Sequence, residues 1–155
     1  MMEGLFDFEQ DGRYPLRRIP MQVRFKLDAC GFRISLTAWA LLRREEREQL
    51  LALGAASEAE QQTFRASLAT MLKPYADNPD AVIEQTAIDA APVWQQTAAL
   101  PAEMLEHLGE SELPIPTLDQ WRHLSDLQRF ALIKLTRRGH RNTNLLPALR
   151  EFGIA

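Results

Sequence analysis

Three guanidinium groups, an imidazole and two carboxamides fall within eight residues in Arg137-Arg138-Gly139-His140-Arg141-Asn142-Thr143-Asn144. Guanidinium forks match the paired oxygens of a carboxylate or phosphate, so this run suits the capture of an anionic group on a partner. It suits a helix end equally well. Arginines complement the negative pole of a helix, and Gly139 readily takes a left-handed cap. A second basic group, Arg17, Arg18, Arg24 and Lys26, lies towards the other end of the chain. Arg17 and Arg18 precede Pro20, a residue suited to starting a helix, and the backbone N–H groups at such a start favour anions. The alternative for this group is a solvated rim.

Little else in the chain is expected to react. Cys30 is the one cysteine, so neither an internal disulfide nor a multi-thiolate metal site is available. It falls in the last turn of a helix ending at Gly31, where the helix dipole disfavours a thiolate, and it reads as a small core residue. His107, His123 and His140 lack the three- or four-residue spacing that sets two metal ligands on one helical face. Neither a glycine fingerprint for nucleotides nor a phosphate loop is present. The expectation is a protein with no catalytic residue, no cofactor and no metal.

Charge sharpens the choice of partner. Residues 1–44 carry eight Lys or Arg against five Asp or Glu, residues 45–112 three against thirteen, and residues 113–155 seven against three. Two basic ends thus flank an acidic middle, and if the ends meet in the fold they form a pole able to steer an acidic partner. A pI near 5.6, with basic residues that lack interleaved exposed aromatics, argues against nucleic acid. No apolar run approaches the ~20 residues that span a bilayer, and the N-terminus lacks the pattern of a signal peptide, so no membrane role and a cytoplasmic location are expected.

The elements that must carry these groups are mostly helices. A chain of 155 residues suits a single compact multi-helix domain over 1–155, with 1–4 and 154–155 frayed. An internal repeat organises it. Leu36, Trp39, Leu42, Arg47 and Leu50 recur with identical spacing as Leu118, Trp121, Leu124, Arg129 and Leu132, an offset of 82 residues. Each copy reads as a short helix leading into a longer one, two related helix-turn-helix units. Capping boxes at Thr117 with Gln120 and at Ser125 with Gln128 support a break near Leu124. The first copy has weaker caps, so Thr37 to Leu53 also fits one bent helix. Further helices are expected from Pro20 to Gly31, from Ser57 to near Pro74, from Asn78-Pro79 to about Ala90, from Pro101 to near Gly109, and from Leu145 to Phe152. The alternating stretches Leu5 to Glu9 and Phe32 to Leu36 suit two brief strands that pair as a ribbon near the N-terminus.

Several dense stretches resemble the nitrate reductase associated protein family. The resemblance rests on Ile19-Pro20-Met21, Val23-Arg24, Lys26-Leu27-Asp28 and Cys30-Gly31, on the run from Leu127 to Leu135, and on the tail Leu145 to Gly153. Many relatives carry cysteine where Arg18 stands, and many have proline and glutamate where Arg138 and Arg141 stand, so part of the basic character is expected to be particular to this branch. The resemblance implies a non-catalytic accessory or maturation factor for a molybdenum-dependent assimilatory nitrate reductase. The partners it implies are the reductase or the molybdenum-cofactor insertion machinery, and the candidates for that contact, taken from the basic ends of this chain, are Arg17, Arg18, Arg24, Lys26, Arg137, Arg138, His140, Arg141 and Asn142. The alternative is a small enzyme or ligand-sensing regulator with a site assembled between helices, drawing on Asp28, His140 and Arg24.

Overall fold

The two tryptophan repeats fold as two matching helix pairs. The computed structural model describes residues 2–10, 13–137 and 143–155, and these form a mainly helical protein with one small antiparallel ribbon. In the first repeat α2 (Leu36–Leu41) breaks at Leu42 and α3 (Arg44–Ala52) follows; in the second α6 (Leu118–His123) breaks at Leu124 and α7 (Asp126–Arg137) follows. Leu42 and Leu124 are both extended, which settles the first copy as two helices and excludes a single bent one. The hydroxyls of Ser35 and Thr117 accept the Ala38 and Gln120 N–H groups and so cap the two short helices alike.

The chain divides into two compact units, Met1–Ile88 and Asp89–Ala155. In the first, α1 (Met21–Cys30) and α4 (Glu58–Leu72) join the helix pair around Leu16, Val23, Trp39, Leu50, Phe64 and Leu68. In the second, α5 (Ala102–Glu110) and α8 (Leu145–Glu151) accompany α6 and α7, with Met104, Leu108, Trp121, Phe130, Leu132 and Leu149 buried. α1 and α5 begin directly after Pro20 and Pro101, and α4 begins after Ser57, whose hydroxyl accepts the Glu60 N–H.

Two expectations fail, for a shared reason. The ribbon pairs β1 (Phe32–Ile34) with β2 (Ile83–Gln85), in register Phe32 to Gln85 and Ile34 to Ile83, so the segment after Asn78 is a turn and strand instead of a helix. Polar side chains take over its backbone. Asn78 Oδ1 accepts the Asp80 N–H at 2.9 Å, while Ser35 Oγ donates to the Asp80 carbonyl and accepts the Val82 N–H, drawing the segment beside β1. Residues 5–9 likewise give no strand. Asp7–Glu9 is a 3-10 turn, the Phe6 and Phe8 rings stack at 5.3 Å, and the Glu9 carboxylate accepts the Phe6 N–H.

Candidate functional site

The basic residues of the first unit are set by Trp39. Its indole N–H donates to the Leu16 carbonyl at 2.8 Å, and Leu16 itself is fully buried. That bond anchors the 3-10 turn Pro15–Arg17 and leaves Arg17 and Arg18 exposed beyond it. Arg24, half-buried on α1, turns its guanidinium back on the Ile19 carbonyl at 3.2 Å. Lys26 departs from the group altogether. It is buried, its ammonium donates to the Leu51 carbonyl at 2.5 Å, and burial pulls its pKa below the ordinary lysine value, with Glu60 opposing. Lys26 ties α1 to α3 through this bond and is buried.

The start of α1 was expected to face outward and attract an anion. An anion is there, but the chain supplies it. Glu9 Oε2, presented by the 3-10 turn Asp7–Glu9, accepts the Met21 N–H at 2.8 Å. Cys30 is buried with its thiol 3.8 Å from the Gln61 carbonyl, and its pKa is raised by burial more than Arg65 lowers it. The thiol is therefore a poor nucleophile, as its position predicted, although desolvation is the cause.

In the second unit Arg137 ends α7 half-exposed, with Nε 3.5 Å from Glu103 Oε2 at the start of α5. The pair borders a cavity of about 310 Å³. Val93, Leu100, Met104 and Ile133 give it an apolar lining, and Gln96, Glu103, Thr136 and Arg137 add polar groups. Thr136 is committed elsewhere, because its hydroxyl donates to the Ile133 carbonyl at 2.8 Å. Arg138, His140, Arg141 and Asn142 lie outside the described residues. Asp28, named for the enzyme alternative, is exposed on α1 of the first unit. Among the described residues no three His, Cys, Asp or Glu side chains assemble to hold a metal ion, and no helix is long and apolar enough to cross a membrane.

The repeat marks Arg129 without showing its role, which is structural. Arg129 is buried, and its guanidinium donates to the carbonyls of Trp94, Trp121 and Leu124 and to Asp126. Its place eight residues after Trp121, matched by Arg47 after Trp39, was the available signal.

A family model described as conserved nitrate reductase-associated protein matches residues 5–152, nearly the whole chain. No curated protein and no solved structure matches.

Proposed function

The chain belongs to the conserved nitrate reductase-associated protein family, and from that membership we propose that it is a non-catalytic accessory of a molybdenum-dependent assimilatory nitrate reductase, acting by protein contact. The observation that carries this reading is the span of the family match, which takes in both units. Three exposed arginines support it physically. Arg17 and Arg18 are held outward by the buried Leu16–Trp39 bond, and Arg137 projects from the end of α7. Guanidinium groups on rigid elements recognise carboxylates by paired hydrogen bonds, so an acidic face on the reductase, or on the machinery that inserts its cofactor, is the complementary partner.

A maturation role predicts a particular defect. In nitrate-grown cells lacking this gene, the reductase polypeptide should persist while its activity falls and its molybdenum content drops in parallel. Wild-type protein should restore both. Normal activity per molecule of reductase in the deletion strain would contradict the proposal.

A further inference from the structure

The two units repeat more than their tryptophan helices. Pro20 and Pro101 precede α1 and α5; Val23 and Leu27 occupy the buried positions taken 81 residues later by Met104 and Leu108; Gly31 and Glu112 both adopt the left-handed conformation that closes the helix. The Trp39 indole donates to the Leu16 carbonyl within the 3-10 turn Pro15–Arg17 and the Trp121 indole to the Gln96 carbonyl just after the 3-10 turn Val93–Gln95, and the two turns pack on α3 and α7, the second helices of the two pairs. Positions in one unit therefore have counterparts in the other.

One corner differs. In the first unit the start of α1 and the end of α3 are covered by the chain's own N-terminal segment: Glu9 accepts the Met21 N–H, Gly4 lies so close to Leu51 that an added Cβ would stand 3.2 Å from its Cδ1, and Met2 and Leu5 pack against the core. In the second unit the corresponding corner, the start of α5 and the end of α7, is the 310 Å³ cavity. Ala102 stands there for Met21 and Ile133 for Leu51, and among the described residues no side chain takes the Ala102 N–H.

We propose that this cavity is a docking groove for an extended segment of a partner protein that brings apolar side chains followed by a carboxylate, the chemistry residues 2–9 bring to the first unit. The apolar side chains would enter between Val93, Leu100, Met104 and Ile133. The carboxylate would meet the start of α5, where N–H groups and the helix dipole favour negative charge, with Arg137 beside it. Glu103 is the negative group at this rim, and its exposed 3.5 Å pairing with Arg137 is weak enough to be exchanged. A second copy is the poorer occupant, because its N-terminal segment is already engaged through Glu9 in its own first unit. The inference rests on the accessory reading for the identity of the partner, and on the cavity and its counterpart corner in the first unit for the chemistry.

The probe is a synthetic peptide of residues 2–10, titrated into the full chain by calorimetry. Wild-type protein should bind it, with affinity about tenfold weaker when the peptide carries Glu9→Gln, as expected for loss of a charge-assisted hydrogen bond. Binding should vanish in Ala99→Trp, which fills the cavity mouth, and weaken in Arg137→Glu, which leaves the cavity open and serves if the first variant fails to fold. No binding to wild type, or binding indifferent to these changes, would overturn the proposal. A native dimer that Ala99→Trp converts to monomer would also overturn it, by naming a second copy as the occupant. If wild type and Ala99→Trp recover the reductase equally from cells, the groove is wrong and the accessory reading stands; if the peptide binds as described while no reductase is recovered, the accessory reading fails and the groove remains.

Discussion

Arg47 and Arg129 sit eight residues after their tryptophans, and in both units the guanidinium donates back to carbonyls at the end of the short helix. They differ in burial: Arg129 is 7% exposed while Arg47 is half-buried and lies near the Tyr14 and Trp39 rings. Replacing Arg129 with Ala removes the donor shared by the Trp94, Trp121 and Leu124 carbonyls and the partner of Asp126 at once, so the expected loss is about 3 kcal/mol, against roughly 1 kcal/mol for Arg47→Ala. Urea denaturation of the two variants checks the order. Lys26 makes a pH-dependent prediction. Its folded-state pKa is lowered by burial, so between that value and the ordinary lysine pKa the unfolded chain binds the extra proton. Stability must then rise with pH across that window. Cys30 and Tyr14, both raised chiefly by burial, push the other way as pH rises through the alkaline range. Lys26→Met keeps those two groups, so wild type should gain stability relative to this variant as pH approaches about 10.4. A constant difference from pH 7 to 10.5 in urea titrations would show that the burial of the ammonium has no such effect.

At the scale of elements, Gly31 carries the join between helix and ribbon. Its φ of 74° closes α1, its carbonyl accepts the Thr86 N–H at 2.7 Å, and a Cβ there would come within 3.0 Å of the Thr86 carbonyl and of Ile88. Gly31→Ala should cost about 1–3 kcal/mol through left-handed strain and this collision. Gly109 is the internal control. It lies within α5 where an added Cβ meets nothing within 4 Å, so Gly109→Ala should stabilise by up to about 1 kcal/mol. Thermal melts of both variants test the contrast. The same elements explain what the sequence disclosed. Helices with side-chain caps or proline starts, such as α4 after Ser57 and α5 after Pro101, were legible because their signals lie within one turn of the boundary. The β2 strand was not, because Ser35 directs it from 47 residues away, and the 3-10 turn at Glu9 was not, because its purpose is a bond to Met21. Arg17, Arg18 and Arg137 were legible as exposed cations, whereas Lys26 was misplaced because a basic residue's spacing does not reveal that its amino group caps the distant Leu51 carbonyl.

For the whole molecule, the charge pattern changes meaning once the division at Ile88 and Asp89 is known. The acidic middle is split, so residues 1–88 hold eleven Lys or Arg against thirteen Asp or Glu and residues 89–155 hold seven against eight. Each unit therefore combines one basic end with part of the acidic stretch and is close to neutral. A contact made by arginines on such units is local, set by where Arg17, Arg18 and Arg137 stand, and its strength should fall with ionic strength as exposed charges are screened. The measurement that bears most directly on the accessory reading is affinity recovery of tagged protein from nitrate-grown native cells, with the captured proteins identified by mass spectrometry. The wild type should bring down nitrate reductase or a molybdenum-cofactor insertion protein at low salt, and Arg17→Glu with Arg18→Glu and Arg137→Glu should reduce that recovery while the variant stays folded. Recovery of neither partner, under conditions that preserve weak complexes, would contradict a helper that works by contact.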